Sequence, residues 1–431
     1  MTTAASEASN IDGSSRTRRK VLMVTAWPPQ VQAGGVSTVI RTLAAERSAE
    51  FDYDVLVNDW DAKQLRRDCG SFPSYRLRMR LPYDRSKPLV GVLGWIRDLP
   101  STLIQLRRLI RMEGIALVHI HYPSAYQFYI RVLRLFGGPP YVATLHRGET
   151  VNFGELSAVD KMLTLWTMRG AARVVAVSNW LADLARRTFS GIDNIGCIYN
   201  GLDLSEFDEI EDAGATAPLS IDLSSECDLP SEYCLIVANL TFFKGQDVAI
   251  EAWSKLRERL PNLHLVIVGD RRDHWDTCAR LIEQLGCGDR IQMIGPVQRS
   301  DVLKLMKRAT ALIFPSRNEG LGLVMLEAGA AGLPVICSRI GPFMEIARDE
   351  ESALMVEPED SAALAEAVVR LAGDPALRRR LGDTLRRRVH EQFSADTMAS
   401  RYEDLYRAAL GGSTAGEARR TGAYAEDSRS S

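Results

Sequence analysis

The sequence predicts an α/β protein in which two doubly wound, Rossmann-like domains face each other across a cleft. Its 431 residues suit two or three domains of ordinary size. Short apolar runs rich in β-branched residues alternate with segments of helical period, which is typical of parallel sheets covered on both faces. This alternation is interrupted once, near the middle of the chain, and then begins again. We therefore expect two separate sheets.

The first half opens with "KVLMVTAW", residues 20–27, an apolar run that predicts a buried strand. Residues 35–48, "GVSTVIRTLAAERS", carry helical spacing and predict the helix that follows. The other strands predicted in this half occupy residues 53–59, 115–123, 141–147 and 172–179. The strands predicted in the second half occupy residues 233–240, 263–270, 290–295, 309–316 and 334–339.

The segment between the halves is acidic, contains Ser, Ala and Pro, and lacks a strong period, so we interpret it as a linker. Both ends of the chain are polar and without periodicity. We expect residues 1–18 and 411–431 to be disordered. Residues 19–204 are expected to form the first domain, 205–232 the linker and 233–394 the second domain. A helix at residues 395–410 is expected to complete the first domain. Ligands of such sheets bind beyond the carboxyl ends of the strands, so each wall of the cleft is expected to carry a site.

Composition excludes several classes of function. The formal net charge of −2 gives the whole molecule no electrostatic footprint for nucleic acid. No apolar run approaches the ~20 residues of a membrane-spanning helix, and the polar N-terminus lacks the apolar core of a signal peptide. The seven cysteines are scattered without metal-site spacing, which favours reduced thiols in a cytoplasmic protein.

Two glycines open the first predicted helix. Gly34 and Gly35 would let an anionic group approach the helix N-terminus, whose amides carry partial positive charge. A tight strand-to-helix turn would use the same residues, and neither a GxGxxG nor a P-loop pattern is present. Lys244 holds the equivalent place in the second half, where it either neutralises a phosphate or lies solvated on the surface.

Residues 318–334, "NEGLGLVMLEAGAAGLP", combine two carboxylates with a glycine turn. Glu319 falls in the loop after a predicted strand, and Gly320 and Gly322 expose amides at the start of the next helix. Glu327 lies near the buried face of that helix, where a carboxylate is costly unless it is hydrogen-bonded. Carboxylates hold paired hydroxyls and helix-start amides suit phosphate, so the unit predicts a clamp for a sugar, a phosphate and a second sugar. The alternative is a helix-start charge followed by a solvated glutamate.

With these residues the chain resembles the family 4 retaining glycosyltransferases of the GT-B fold. The resemblance covers most of residues 20–410 and is strongest in the second half. Besides residues 318–334, it is carried by "AGGVSTVI", "VATLHRGE", "VVAVSNWLAD", "IYNGLDLSEF", "NLTFFKGQDVAIEAW" and "LVIVGD". The spacing of Glu319 and Glu327 is its most specific part.

The resemblance implies a role for each matching position. Glu319 is expected to hold hydroxyls of the transferred sugar, Glu327 the nucleotide ribose and Lys244 the diphosphate. His146, which by itself reads as a structural histidine at a strand end, matches the family's active-site histidine. The donor is expected to be a UDP- or GDP-sugar, with no further cofactor. The remaining expected donor contacts are Gly34, Gly35, Asn239 and the amides of Gly320, Leu321, Gly322 and Leu323.

Two departures from the family pattern affect these expectations. Asn239 stands where many members carry Arg, so one positive charge that would neutralise the diphosphate is missing. Either Arg317 or another cation replaces that charge, or the donor is held more weakly. Pro342 replaces the second glycine of a Gly-Gly pair ahead of Glu345, an acid whose role is left open.

The resemblance favours front-face attack with retention, in which the departing phosphate helps to deprotonate the acceptor. A covalent intermediate on Glu319 is the alternative. No DxD pair lies at a predicted strand end. The two aspartates of residues 269–274 alternate with arginines and suit a salt-bridged loop, so we expect no catalytic metal.

Residues 76–111 are rich in arginine and also hold Trp95 and several aliphatic residues. Such a segment either docks on a membrane surface or a lipid-linked acceptor, or forms the solvated face of a helix. Docking would favour a polyprenyl-linked acceptor, a polysaccharide pathway and a peripheral position at the inner face of the membrane. A soluble glycan acceptor fits the second case.

Two other classes of function remain open. A nucleotide-sugar hydrolase or epimerase would need no acceptor, whereas a non-catalytic sensor or scaffold would bind the donor without turnover. Asn239 is the best support for the sensor. A NAD-dependent dehydrogenase is disfavoured because the GxGxxG pattern is absent.

Overall fold

A computed structural model of the chain describes residues 18–25, 35–45, 48–68, 73–81, 88–192, 195–207 and 229–411. Gly34 lies outside these ranges, and so does most of the expected linker. The two terminal segments expected to be disordered also lie outside them, except for Arg18 and Gly411.

The first sheet has eight strands in the order β3-β4-β2-β1-β5-β6-β7-β8. They are β1 (Arg19–Thr25), β2 (Phe51–Asn58), β3 (Arg66–Asp68), β4 (Ser74–Leu77), β5 (Ile115–His121), β6 (Tyr141–Leu145), β7 (Arg173–Ala176) and β8 (Ile195–Cys197). Every pairing is parallel except that of β3 with β4. The order reverses between β1 and β5, which opens a crevice beyond their carboxyl ends.

Helices cover both faces of this sheet because its central strands are apolar on both sides; Leu22 and Met23, for example, are fully buried. The helices of this part are α1 (Gly35–Ala45), α2 (Pro88–Glu113), α3 (Phe128–Leu135), α4 (Gly148–Val151), α5 (Ala158–Arg169) and α6 (Asn179–Thr188).

The second sheet has six parallel strands in the order β11-β10-β9-β12-β13-β14. They are β9 (Tyr233–Val237), β10 (His264–Val268), β11 (Ile291–Ile294), β12 (Ala311–Phe314), β13 (Val335–Ser338) and β14 (Leu354–Val356). The helices around it are α7 (Gln246–Lys255), α8 (Trp275–Gln284), α9 (Arg299–Arg308), α10 (Leu323–Ala330), α11 (Gly341–Ile346), α12 (Ser361–Gly373) and α13 (Pro375–Gln392). Its order reverses between β9 and β12, so the loops after these two strands form its ligand edge.

The last helix of the described residues, α14 (Ala395–Ala409), returns to the first sheet. The Tyr406 hydroxyl lies 2.8 Å from Nδ1 of His119, and the Tyr402 hydroxyl lies 3.2 Å from Oγ1 of Thr144. Both tyrosines are fully buried. Helix α14 therefore supplies part of the core beneath the first sheet.

The predicted fold class, α/β with two facing doubly wound domains, is confirmed. The ten predicted strands are present, and most are two or three residues shorter at their carboxyl ends, where polar loops begin. The strands that were not predicted are β3, β4, β8 and β14.

Candidate functional site

The loop between β12 and α10 lies against the first domain. A Cβ on Gly320 would come within 2.0 Å of the carbonyl oxygen of His146, so this position must be glycine for the two domains to approach. Gly322 has φ of 105°, and a Cβ there would meet the Phe343 ring at 2.6 Å. The Ser178 hydroxyl donates to the Gly320 carbonyl over 2.6 Å. The glycine turn is therefore shaped by contact across the gap.

Glu319 and Lys244 meet in this gap. Lys244, from the loop after β9, places its Nζ 2.5 Å from Oε1 of Glu319, and the hydroxyl of Ser316 donates to the same oxygen over 3.1 Å. Glu319 is only 7% exposed. A buried carboxylate needs partners of this kind, and the pair brings together two residues that lie 75 positions apart in sequence.

Glu327 lies one turn into α10 and is also buried. Its Oε1 accepts from Nη1 of Arg299 over 2.6 Å, and Nε of the same arginine donates to Glu206 over 2.6 Å. Burial opposes the charge of Arg299, but the two carboxylates outweigh burial and raise its pKa. Arg299 was not predicted as a site residue, because nothing in the sequence distinguishes it from other arginines at a helix start.

His146 follows β6 and belongs to a column of three buried histidines. Its Nε2 lies 3.2 Å from Nδ1 of His121, whose ring centroid lies 3.9 Å from that of His119. Burial lowers the pKa of His146 and of His119 to about 3, and burial lowers the pKa of His121 well below its usual range. All three rings are therefore neutral near pH 7, and His146 acts as a hydrogen-bonding group without charge.

Glu149, at the start of α4, holds the loop that carries His146. Its carboxylate accepts from the backbone amides of His146 and Arg147, the second over 3.2 Å. Burial raises the pKa of Glu149 to about 7, although these bonds oppose the shift. The side chain of Arg147 crosses to the second domain, where Nε donates to Asn318 over 3.3 Å and the guanidinium lies 4.8 Å from the Phe243 ring centroid.

Two helix N-termini converge beside the Lys244–Glu319 pair. Gly35 begins α1, and a Cβ on it would lie 3.0 Å from Cδ1 of Leu323, the first residue of α10. Partial positive charge from both domains therefore faces the same gap, as an anionic ligand requires.

Arg317, expected as a replacement for the missing cation at Asn239, is already paired. Its Nη1 and Nη2 each donate to the Asp247 carboxylate over 2.8 Å, and Nε pairs with Glu359. Asn239 is half-buried, and its carbonyl accepts from Nε2 of Gln246 over 3.2 Å. The charge of Arg317 is thus balanced within the second domain.

Glu345 joins the two domains. One of its oxygens accepts from the Trp180 amide over 2.6 Å, and the other accepts from the Asn179 amide and the Tyr199 hydroxyl, each over 2.8 Å. The carboxylate thereby binds the N-terminus of α6 in the first domain. The sequence alone does not assign this role to Glu345.

Two absences hold for the described ranges. They contain no group of three or more His, Cys, Asp or Glu side chains arranged to hold a metal ion. None of the helices within them has both the length and the apolarity needed to span a bilayer.

The chain has two facing α/β domains, and polar loops from both domains meet in one gap. This is the architecture of the GT-B class of glycosyltransferases. The sucrose-phosphate synthase of Thermosynechococcus elongatus superposes with a TM-score of 0.73 at 24% identity, over 92% of this chain and all of that one. HepE of Anabaena, solved in complex with UDP and glucose, superposes with a TM-score of 0.68 at 17% identity, over 90% of this chain and 99% of that one. At such identities the likeness shows the fold.

Sequence comparison establishes the family. Residues 33–206 match the profile described as Glycosyltransferase Family 4, and residues 224–388 match Glycosyl transferases group 1. An uncharacterised glycosyltransferase of Methanocaldococcus jannaschii is 31% identical over 401 residues, which span 91% of this chain and 98% of the relative. The chain belongs to this family of glycosyltransferases.

Proposed function

We propose that the protein is a retaining glycosyltransferase that moves a sugar from a nucleoside-diphosphate sugar to a hydroxyl of a glycan or lipid-linked acceptor. The pathway we propose is the synthesis of cell-surface polysaccharide or another glycoconjugate. The observation that carries the proposal is the Lys244–Glu319 pair, which lies in the interdomain gap beside two helix N-termini. A UDP-sugar or a GDP-sugar is the proposed donor, and the complex of HepE with UDP and glucose supports the first.

In this proposal Lys244 and the amides at the starts of α1 and α10 hold the diphosphate. Their positive charge stabilises the negative charge that develops on the leaving phosphate, which is the main electrostatic need of the reaction. Because the protein supplies this charge, we propose that transfer needs no metal ion. Glu327 would hold the ribose with the oxygen that Arg299 leaves free.

Glu319 would bind hydroxyls of the transferred sugar. Its Oε1 is held by Lys244 and Ser316. A carboxylate stabilised by two donors is a poor nucleophile, which supports front-face attack over a covalent intermediate on Glu319. His146, being neutral, would position the sugar and would not act as a general acid.

Helix α2 supports docking on an anionic membrane. Leu93, Ile96 and Ile104 protrude from it at 68%, 54% and 67% exposure. Arg107, Arg108 and Arg111 are exposed further along the helix, and at 100° per residue all six side chains fall on one side. An exposed apolar and basic stripe of this kind suits anionic headgroups.

Co-sedimentation with phosphatidylglycerol vesicles tests the docking. We expect Ile104→Asp to reduce binding, whereas Met162→Asp, which changes an exposed apolar residue on α5, should not. Equal binding by the two variants would leave a soluble acceptor as the better proposal.

Thermal stability against a panel of UDP-, GDP- and ADP-sugars tests the function, because a ligand in excess of its Kd stabilises the folded chain. We expect one donor class to raise the melting temperature and to release nucleotide faster when an acceptor is added. Acceptor-independent release of sugar would identify a hydrolase. Binding without turnover would identify a sensor. The sensor is the alternative favoured by Arg317, because its charge is balanced and does not replace the cation missing at Asn239.

A further inference from the structure

His121 is a buried side chain to which the proposed reaction gives no role. It is the last residue of β5, and its Nδ1 lies 3.2 Å from Nε2 of His146, which follows the neighbouring strand β6. The two rings stack, with planes that differ by 29° and centroids 5.4 Å apart. His121 is fully buried, whereas His146 is 7% exposed. The pair therefore opens towards the gap at His146, and His121 can act on a ligand through that ring.

One proton is shared between the two rings. Burial keeps both imidazoles neutral, so each ring carries a single N–H. A hydrogen bond between two ring nitrogens needs a proton on one and a lone pair on the other. Either His121 donates from Nδ1 to His146, or His146 donates from Nε2 to His121. The two arrangements leave opposite groups on the outer nitrogen of each ring.

Nε2 of His121 decides between these arrangements. This atom is buried and has no hydrogen-bond partner among the residues that the structure describes. If His146 donated, the proton of His121 would lie on Nε2 as a buried N–H without an acceptor, which costs free energy. If His121 donates, the same atom keeps only a lone pair, and in folded proteins an orphaned acceptor is less rare than an orphaned donor. The proton of His121 is therefore assigned to Nδ1.

This assignment also fixes the proton of His146. Because Nε2 of His146 accepts the bond, its own proton lies on Nδ1. Among the described residues Nδ1 has no hydrogen-bond partner, so it is the nitrogen left for a ligand. An N–H at this position donates to an oxygen of a sugar but cannot take up a proton. A bare nitrogen would instead accept from a hydroxyl and could serve as a base.

From these contacts we infer that His121 is a positioning residue that holds His146 in its Nδ1–H form. In this form His146 donates a hydrogen bond to the transferred sugar and has no free basic nitrogen with which to deprotonate the acceptor. The base must then be another group, which agrees with the departing phosphate of the front-face route. The inference rests on the proposed function, which it deepens by assigning the proton on the active-site histidine and the residue that controls it.

Long-range 1H–15N correlation spectra of the full chain, labelled with 15N-histidine, test the assignment without any need for turnover. The chain has six histidines, so the signals of the two rings are identified by their loss in His121→Gln and His146→Gln. We expect both rings to carry the proton on Nδ1. A proton on Nε2 of either ring would overturn the inference. A lack of donor binding in the thermal panel would instead count against the proposed function and would leave the tautomers as assigned.

Variants show whether His121 sets the tautomer. His121→Phe removes the bond but keeps a buried ring, so the Nε2–H form of His146 should become populated. His121→Gln should restore the parental form, because its amide can again donate to Nε2. His119→Phe is the matched control, since His119 bonds Thr144 and Tyr406 instead. It should lower stability without changing the spectrum of His146. An unchanged tautomer in His121→Phe, or the same change in His119→Phe, would overturn the role of His121.

Kinetics show whether the tautomer matters for transfer. We expect His121→Phe to lower kcat/KM about tenfold, as for one lost hydrogen bond, and His121→Gln to recover most of it. The Kd of UDP or GDP alone should stay within about twofold of the parent, because these nucleotides lack the sugar that His146 contacts. Parental kcat/KM in His121→Phe would overturn the positioning role. An equal loss of nucleotide affinity would also overturn it, because it would show a general structural defect.

Discussion

The carboxylate of Glu345, on the second domain, binds the amides of Asn179 and Trp180, at the start of a helix on the first. Removing it should expose two helix-start amides and loosen the contact between the domains. We expect Glu345→Ala to lower the free energy of unfolding by about 1–2 kcal/mol and to reduce turnover, measured by denaturant unfolding and steady-state kinetics. Glu351→Ala, which removes an exposed carboxylate, is the control. Equal stability of the two variants would mean that the bonds from Glu345 to these amides contribute little to the free energy of unfolding.

Lys244 should matter mainly in the transition state. We expect Lys244→Ala to lower kcat by about 100-fold, as for loss of one electrostatic donor, with a smaller change in donor affinity. The comparison is Lys63→Ala, at an exposed lysine of the first domain. Near-parental turnover would mean that another cation, for which Arg147 is best placed, carries the diphosphate.

Glu327 should control donor affinity. Glu327→Ala removes the proposed ribose acceptor but leaves Arg299 paired with Glu206, so the chain should still fold. Calorimetry with UDP and GDP should show a Kd raised about 10- to 100-fold. Glu206→Gln disturbs the other partner of Arg299 and serves as the matched variant. If it weakens the nucleotide as much as Glu327→Ala does, the arginine network and not the ribose contact sets affinity.

The histidine column should make the fold sensitive to acid. His119, His121 and His146 have folded pKa values below their usual range, so the unfolded chain binds protons that the folded chain does not as pH falls below about 6.5. Glu149 acts in the opposite direction, since its raised pKa keeps a proton on the folded chain between its usual value and about 7. Unfolding near pH 5.5 should therefore take up about two protons, and stability should fall on acidification.

Denaturant unfolding at pH 7.5, 6.5 and 5.5 measures this effect. His121→Gln should flatten the dependence, whereas His390→Gln, at an exposed histidine, should leave it unchanged. A stability that is constant over this range would contradict neutral, buried histidines.

Activity should persist in EDTA. Lys244 and the helix N-termini supply the positive charge that the leaving group needs, so chelation should leave kcat within about twofold. Assays with EDTA, and with added Mg²⁺ or Mn²⁺, check this. Loss of activity on chelation, restored by one ion, would assign a catalytic role to that metal.

Local patterns predicted the sheets because their central strands are long apolar runs. The strands β3 and β14 have three residues each, and β3 reads "RRD", so only pairing with neighbours makes them strands. The carboxylates Glu319 and Glu327 stood out because acids flank an apolar segment. Arg299, the partner of Glu327, did not stand out, because charge pairing over 28 residues leaves no periodic trace.

The first domain's site was harder to predict. His119 and His121 alternate within β5, which places them on one face, but the pattern alone indicates only a strand. Glu149 belongs to the "HRGE" segment used for the resemblance, yet its bonds to the His146 loop depend on a turn whose shape the sequence does not specify. Contacts across the gap, such as Glu345 with Trp180, depend on how the domains face each other.

The return of α14 to the first sheet has a consequence for biosynthesis. Tyr402 and Tyr406 reach His119 and Thr144 only after residues 395–409 have left the ribosome. The second domain lies between these segments and can fold while the first still lacks part of its interior. A transcript truncated before codon 395 would therefore yield a product in which the buried histidines are exposed to water. Protein quality control would recognise that product as an incompletely folded first domain.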